Sequence, residues 1–224
     1  MSLPPLIRDS ERLLCYVTDR KQLLTPNQDA KTALLGKLKE AAGAGVDWIQ
    51  IREKDLSAAE LSELAREVLR CAPASCRILI NDRLDVACAV GAAGVHLGER
   101  SIPVEAARRF ARERTSTQDF LVGVSVHSQQ AAQAAQASGA DYVLFGPVFA
   151  TPSKIAFGPP QGLERLADVC ASVPIPVLAI GGITPENAQD CYKQGARGIA
   201  AIRLFQEATD VTGIVTELRG SKTG

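Results

Sequence analysis

Polar and charged residues follow several short apolar runs of the sequence, at positions where the ends of neighbouring strands can meet. The run WIQIRE contains Gln50 and Arg52, which lie on one face of a strand because they are two residues apart. An arginine at such a position indicates an anionic ligand, since the guanidinium fork matches carboxylates and phosphates. The alternative is a structural ion pair of Arg52 with Glu53 or Asp55.

Each of the next three apolar runs ends in polar residues for which two roles are considered. RILIND ends with Asn81 and Asp82, a pair that either ligates a metal or caps the following helix. GVHLG contains His96, which fits a packed, hydrogen-bonded side chain better than a catalytic one. FLVGVSV precedes His127, a candidate proton shuttle, but Ser128 is equally a candidate N-cap of the helix QQAAQAAQA, which would leave His127 incidental.

Two groups of residues are candidates for binding phosphates. The segment FATPSK brings two hydroxyls and an ammonium to a turn, which suits a phosphate, although a solvated turn is the alternative. At the end of the seventh run, a double glycine lets the backbone approach an anion closely, and an arginine follows the eighth run. The first group comprises Arg52, Lys54 and Lys154, and the second comprises Gly181, Gly182 and Arg203. Two anion sites in one protein indicate the joining or rearrangement of phosphorylated small molecules.

Eight apolar runs position these residues, and each is followed by a segment of helical length and spacing. The predicted strands cover 13–19, 48–53, 77–82, 94–98, 120–126, 141–148, 176–182 and 198–202. This alternation is typical of parallel βαβ units. A Gly-Ala phrase begins at Gly43, Gly91, Gly139 and Gly195, before every second strand, and predicts a left-handed glycine at a helix C-terminus.

Four double units predict an α/β fold, a single-domain (β/α)8 TIM barrel over 1–224. A doubly wound open sheet is the alternative, but its first turn is usually a Gly-rich dinucleotide loop, and VTDRKQLLTP does not fit that pattern. The active site of a TIM barrel lies at the carboxyl ends of the strands, where the polar residues stand. We expect poorly ordered ends at 1–10 and about 220–224, and a mobile lid over 150–162.

Composition restricts the partners and the location. The 25 basic and 25 acidic residues balance, which argues against a nucleic-acid-binding protein, and no apolar run is long enough for a membrane span. The N-terminus MSLPPLIRDSER lacks the pattern of a secretory signal. The six cysteines form no C-x-x-C pair, which favours buried, reduced thiols in a cytoplasmic protein over disulfides or a zinc site. The oligomeric state is left open, with a homo-oligomer possible.

The sequence resembles the superfamily of thiamine phosphate synthases and TenI-like thiazole tautomerases. The matching segments run in order through residues 16–205: VTDR, QIREKDLS, LINDRLDVACAVGAAGVHLG, GVSVHS, GADYVLFGPVFATPSK and IPVLAIGGITPENA. For a synthase, the resemblance implies that hydroxymethylpyrimidine diphosphate loses diphosphate with the help of Mg²⁺. The nitrogen of a thiazole phosphate then captures the pyrimidine cation and forms thiamine phosphate.

The resemblance also implies a role for each matching residue. Arg52, Lys54 and Lys154 would be catalytic cations and Asp82 a ligand of Mg²⁺. The pyrimidine diphosphate would be held by Gln50, Asn81 and Ser125 together with those cations, and the thiazole phosphate by Thr151, Ser153, Gly182, Ile202 and Arg203.

Two positions depart from the synthase pattern. Ser101 stands where a second carboxylate ligand of Mg²⁺ is usual, so that Glu99 would have to substitute for it, and Arg203 stands in place of a serine. The alternative activity, the tautomerase, needs no metal and moves a proton on a carboxythiazole phosphate with His127 as acid and base. A protein that binds thiamine precursors without turnover is the third possibility.

Overall fold

Eight short parallel strands pair in chain order and close on themselves, so that β8 pairs with β1. The computed structural model describes residues 12–23, 29–115, 119–151 and 159–220. The strands are β1 (Leu13–Val17), β2 (Trp48–Ile51), β3 (Arg77–Asn81), β4 (Gly94–Leu97), β5 (Leu121–Val126), β6 (Tyr142–Phe145), β7 (Val177–Ile180) and β8 (Gly198–Ala201). The predicted (β/α)8 barrel is confirmed, and the open sheet is wrong.

Helices follow the strands and pack their apolar faces on the outside of the barrel. They are α1 (Ala30–Gly43), α2 (Ala58–Cys71), α3 (Leu84–Val90), α4 (Val104–Arg114), α5 (Gln129–Ala137), α6 (Gly162–Ser172), α7 (Pro185–Lys193), α8 (Arg203–Gln206) and α9 (Val211–Arg219), with a 3-10 turn at Arg20–Gln22. Ser57 and Glu60 form a capping box that begins α2, and Thr184 and Asn187 form one that begins α7. Within the described chain, no helix combines the length and hydrophobicity that crossing a membrane requires.

Each predicted strand contains the observed one but is longer, because one or more residues at its ends belong to the adjoining loops. The predicted left-handed glycines are confirmed at Gly91, Gly139 and Gly195, with φ of 70°, 93° and 93°. The first copy of the phrase was assigned to the wrong glycine. Gly43 is the last residue of α1, and Gly45 takes the positive φ, 94°.

The cysteines are free thiols. The prediction of buried thiols is confirmed for Cys15, Cys76 and Cys191 and wrong for Cys71, which is exposed at the end of α2. The predicted ends at 1–10 and 221–224 lie outside the described residues, as do residues 152–158 of the predicted lid.

Large rings fill the inside of the barrel, where the backbone leaves them room. The rings of Trp48 on β2 and Tyr142 on β6 are fully buried and lie 4.6 Å apart, centroid to centroid. Gly123 on β5 makes this possible, because a Cβ atom at that position would overlap the ring of Tyr142. The interior below the strand ends is therefore apolar and filled.

One polar layer lies above this apolar filling. The ring of His96 on β4 is 2% exposed, with Nδ1 3.1 Å from the hydroxyl of Tyr142 and Nε2 2.8 Å from Oγ of Ser125. Burial, together with the nearby charge of Arg52, lowers the pKa of His96 to about 3. The imidazole is therefore neutral, and the expectation of a packed, hydrogen-bonded His96 is confirmed.

Enlarging Gly123 should destabilise the barrel. We expect Gly123→Ala to lower the midpoint of thermal unfolding by about 4–8 °C, since overpacking of about 2 kcal/mol has that effect in a chain of this length. Gly36→Ala is the matched control, because Gly36 is exposed on α1 with no atom within 4 Å of an added Cβ. Alanine is the better helix former, so this control should be unchanged or more stable. Equal midpoints for both variants would contradict the packing argument.

His96 should make the protein less stable below neutral pH. Its folded-state pKa is about 3, whereas an unfolded histidine titrates near pH 6.5. Between these values the unfolded state binds more protons, so the contribution to stability is complete above about pH 6.5 and decreases as the pH falls. The expected loss at pH 5 is on the order of 2 kcal/mol. Urea unfolding at pH 7 and pH 5 measures it, and His96→Gln should lose distinctly less; the same loss in both proteins would refute the assignment.

Candidate active site

Gln50 and Asn81 meet at the carboxyl ends of β2 and β3. Nε2 of Gln50 donates a hydrogen bond to Oδ1 of Asn81 at 2.9 Å, which leaves Oε1 of Gln50 buried and without a partner among the described residues. Buried polar atoms in proteins are normally hydrogen-bonded. This oxygen therefore marks a position where the N–H group of a ligand can bind.

Arg52 follows β2 and is not used in an ion pair with its neighbours. Glu53 and Asp55 bind Arg20 instead: its Nη1 lies 2.8 Å from Glu53 and 2.7 Å from Asp55. Thr18 completes this arrangement, since its hydroxyl donates to Glu53 at 2.6 Å and accepts a hydrogen bond from the backbone N–H of Arg52 at 2.9 Å. The structural ion pair considered for Arg52 is therefore wrong. Its guanidinium makes no hydrogen bond or ion pair with any described residue.

Asp82 lies at the end of β3 in a left-handed backbone conformation, with φ of 64°. Its carboxylate accepts a hydrogen bond of 2.5 Å from the hydroxyl of Ser101, and Oγ of Ser101 in turn accepts one of 2.8 Å from the backbone N–H of Gly98. The helix-cap interpretation of Asp82 is wrong, because the N-cap of α3 is Arg83 and no side chain caps that helix. Ser101 instead joins the loops that follow β3 and β4.

Asp82 and Ser101 together offer oxygen atoms to a divalent cation. Among the residues that the structure describes, no three His, Cys, Asp or Glu side chains form a group that could hold a metal ion. Glu99, the other candidate ligand, has Oε1 at 3.5 Å from Nε2 of His127. Mg²⁺ is commonly held by one or two carboxylates together with waters and substrate phosphates. The donor set around Asp82 fits such a shared site.

His127 lies after β5 with both ring nitrogens near acceptors. Nδ1 is 2.5 Å from the carbonyl oxygen of Gly146, which only accepts, so this nitrogen carries a hydrogen. Nε2 faces the exposed carboxylate of Glu99. The hydroxyl of Ser128 accepts a hydrogen bond from the backbone N–H of Ala131 at 3.1 Å, which confirms it as the N-cap of α5.

A second group forms where the loops after β6, β7 and β8 meet. Gly182 has φ of 67°, and a Cβ atom there would lie 2.5 Å from the carbonyl oxygen of Ala150, so only glycine fits between these loops. The backbone N–H groups of Gly182 and Ile183 donate to none of the described residues. The adjacent Thr151 is buried, and its hydroxyl accepts a hydrogen bond of 2.9 Å from Nη2 of Arg203.

The predicted site residues thus form two groups on one rim. Gln50, Arg52, Asn81, Asp82 and Ser125 belong to the loops and ends of β2–β5, and Thr151, Gly181, Gly182, Ile202 and Arg203 to those of β6–β8. Lys54 is exposed in the loop after β2. Ser153 and Lys154 lie outside the described residues.

Three residues that support this rim were not singled out from the sequence. Thr18 and Arg20 occupy the carboxylates beside Arg52, and Tyr142 holds His96. Thr18 and Arg20 stand in the segment VTDR directly after the first apolar run, which was a signal available in the sequence. Tyr142 was hidden inside an apolar run, and only its pairing opposite Gly123 of β5 exposes its role.

Comparisons with known proteins identify the family of this chain. The family model described as thiamine monophosphate synthase matches residues 21–205. The chain is similar to the thiamine-phosphate synthase of Methanoculleus marisnigri, with 45% identity over 182 residues, 80% of this chain and 83% of that protein. It is 36% identical over 212 residues to the thiamine-phosphate synthase of Syntrophomonas wolfei, covering 94% of this chain and 96% of the other.

A solved structure extends the similarity to three dimensions. The thiamine phosphate pyrophosphorylase from Pyrococcus furiosus superposes with a TM-score of 0.79 at 34% identity, over 94% of this chain and 95% of that one. At this level of identity and coverage, sequence and fold agree on one assignment, which the resemblance of the motifs had predicted. The chain belongs to the thiamine monophosphate synthase family.

Proposed function

We propose that this protein joins hydroxymethylpyrimidine diphosphate and thiazole phosphate, releasing diphosphate and forming thiamine phosphate. Membership of the family and the names of the relatives support this reaction. The observation that carries it is Arg52, a cation at the barrel mouth whose neighbouring carboxylates are both bound by Arg20. A guanidinium in this state is available to the oxygens of a diphosphate. The substrates are small phosphorylated molecules, and we expect the reaction in the cytoplasm.

Arg52 acts on the leaving group. When the bond between carbon and diphosphate oxygen breaks, negative charge accumulates on the departing oxygens, and cations and N–H donors fixed in advance stabilise that charge. Ser125, at the end of β5 on the same rim, is hydrogen-bonded to His96 and adds a hydroxyl. By resemblance, Lys54 and Lys154 supply further cations.

Gln50 and Asn81 orient the pyrimidine. Their mutual hydrogen bond fixes both amides, and Oε1 of Gln50 is left as a buried acceptor. An amino group on the heterocycle satisfies that acceptor, whereas a ligand without an N–H group leaves it unpaired, at a cost of about 1–3 kcal/mol.

The group at the ends of β6–β8 receives the phosphate of the thiazole. Gly182 and Ile183 provide N–H groups that no described residue uses, at the start of the loop that leads into α7. Arg203 provides the charge, and its hydrogen bond to Thr151 holds the guanidinium at the loop after β6, against which Gly182 packs. Gly181, Ile202 and Ser153 are assigned to the same phosphate by resemblance.

Asp82 is the residue assigned to Mg²⁺, with the neighbouring Ser101 as a further oxygen donor. When bound, Mg²⁺ would add positive charge to the diphosphate oxygens and so favour their departure. With one carboxylate rather than two, the protein would hold the metal mainly in the presence of the diphosphate substrate.

Formation of thiamine phosphate by the purified protein tests the proposal directly. Both substrates are supplied with Mg²⁺ and then with a chelator, and product that requires Mg²⁺ is the expected result. A folded protein that binds thiazole phosphate and inorganic diphosphate but forms no product, and also has no tautomerase activity, would be a binding protein and would refute the synthase.

Arg52→Ala should reduce the rate of thiamine phosphate formation by at least about 100-fold, since one preorganised donor to a developing anion has that effect. Arg52→Lys should recover part of the loss, because it restores the charge without the fork. Arg83→Ala is the control: Arg83 follows the neighbouring strand, but its guanidinium is bound to Asp85 at 2.6 Å. We expect the control to stay within about twofold of the wild type; a comparable loss in both variants would contradict the role of Arg52.

The thiazole tautomerase is the second candidate, and His127 is the observation that favours it. Its imidazole is held by Gly146 and faces Glu99 at the rim, where an acid and base could act on a bound thiazole. Ser101 in place of a carboxylate also reduces the capacity for metal. The buried acceptor of Gln50 and the carboxylate of Asp82 favour the synthase, since a metal-free proton transfer on a thiazole requires neither.

Two variants separate the candidates when each is measured in both assays. In a synthase, Asp82→Asn should lower thiamine phosphate formation by at least about tenfold and raise the Mg²⁺ concentration required, because the carboxylate charge is lost. His127→Asn should change that rate far less. Isomerisation of the carboxythiazole phosphate that persists in Asp82→Asn and disappears in His127→Asn would identify a tautomerase instead.

A further inference from the structure

The hydroxyl of Tyr142 is buried inside the barrel with one described partner. The residue is fully buried, its ring lies against Trp48, and the hydroxyl is 3.1 Å from Nδ1 of His96. The other ring nitrogen of His96, Nε2, is 2.8 Å from Oγ of Ser125. Three side chains on β4, β5 and β6 therefore form a hydrogen-bonded series from the apolar interior to the mouth of the barrel.

The neutral imidazole can take part in this series in two ways. If Tyr142 donates its proton to Nδ1, the ring hydrogen is on Nε2 and is donated to Ser125, whose own proton remains available. If the ring hydrogen is on Nδ1, it is donated to Tyr142 and Ser125 must donate to Nε2. The second arrangement leaves the hydroxyl proton of Tyr142 without an acceptor among the described residues.

Burial decides between the two arrangements. An unsatisfied donor costs most where neither water nor a polar neighbour can reach it, and Tyr142 is surrounded by the apolar filling. Ser125 is partly exposed, so that water or a ligand can accept its proton. The first arrangement therefore has the lower free energy.

We propose that Tyr142 and His96 are positioning residues that hold Ser125 as a hydrogen-bond donor to a phosphate oxygen of the diphosphate. This inference rests on the proposed function, because it assigns a direction to one contact of that site. A hydroxyl held as a donor on the rim that carries Arg52 favours an anionic oxygen. If the hydroxyl instead donated its proton to Nε2, it would present a lone pair to the ligand and would repel that oxygen.

Nitrogen NMR of the histidine rings tests the direction of the hydrogen bonds. The chain contains two histidines, so selective ¹⁵N labelling gives few signals, and those that His96→Gln removes belong to His96. At pH 7 we expect Nδ1 of His96 to be unprotonated and Nε2 to carry the hydrogen. The opposite tautomer would overturn the inference, whatever the protein's activity.

A double-mutant cycle tests whether Tyr142 acts through Ser125. Inorganic diphosphate, at a fixed Mg²⁺ concentration, is the probe, and its dissociation constant is measured by calorimetry. Tyr142→Phe should weaken binding by about fivefold to tenfold in the wild-type background, and by less than about twofold when Ser125→Ala is already present. Equal losses in both backgrounds would indicate a merely structural tyrosine and would overturn the inference.

Tyr16→Phe is the matched control for loss of a buried hydroxyl. Tyr16 is also fully buried on a barrel strand, but its hydroxyl donates to Gln206 at 3.2 Å and has no contact with the series. Its diphosphate binding should equal that of the wild type. If the wild-type protein binds no diphosphate, both the proposed function and the role of Ser125 are refuted. If it binds diphosphate but His96 has the opposite tautomer, only the positioning of Ser125 by Tyr142 and His96 is refuted.

Discussion

The fixed interior volume of a closed eight-stranded barrel constrains everything else in this molecule. Its strands leave room for side chains and not for a channel, so the ring of Tyr142 requires a position without a side chain on the neighbouring strand. Trp48 and Tyr142 occupy the interior because Gly123 has no Cβ atom in their way. The ring of Tyr142 belongs to the apolar interior, and its hydroxyl contacts the polar layer above. This single residue therefore joins the apolar filling of the barrel to the polar site.

Local pairing of charges, rather than net charge, decides whether Arg52 is available to an anion. The chain as a whole is formally neutral. Arg20 binds the two carboxylates nearest to Arg52, and Thr18 hydrogen-bonds both Glu53 and the backbone of Arg52. Because Arg20 neutralises Glu53 and Asp55, the guanidinium of Arg52 remains available to a ligand. With the same composition, an ion pair of Arg52 with Glu53 or Asp55 would compete with an anionic ligand for its guanidinium.

One barrel supports both candidate reactions, because a fold does not determine a function. The difference between them lies in a few atoms at the rim. An orphaned oxygen on Gln50 and a carboxylate on Asp82 suit a pyrimidine diphosphate with its metal, while His127 beside Glu99 suits a proton transfer. Ser101 is the residue on which this balance depends most, since a hydroxyl there orients Asp82 without adding the second negative charge that Mg²⁺ favours.

The sequence alone determined the barrel, the rim and most of the residues on it. Eight apolar runs separated by helical segments favour the closed barrel over an open sheet, and residues that follow a parallel strand must stand at the same end as their neighbours. Hydrogen-bond and ion-pair partners on different strands and loops were decided only by the tertiary structure. Arg20 rather than Arg52 binds Glu53, Ser101 rather than the backbone of α3 binds Asp82, and Tyr142 holds His96. Periodicity specifies which face a residue occupies, but strand register and loop path determine which atoms come within hydrogen-bond distance.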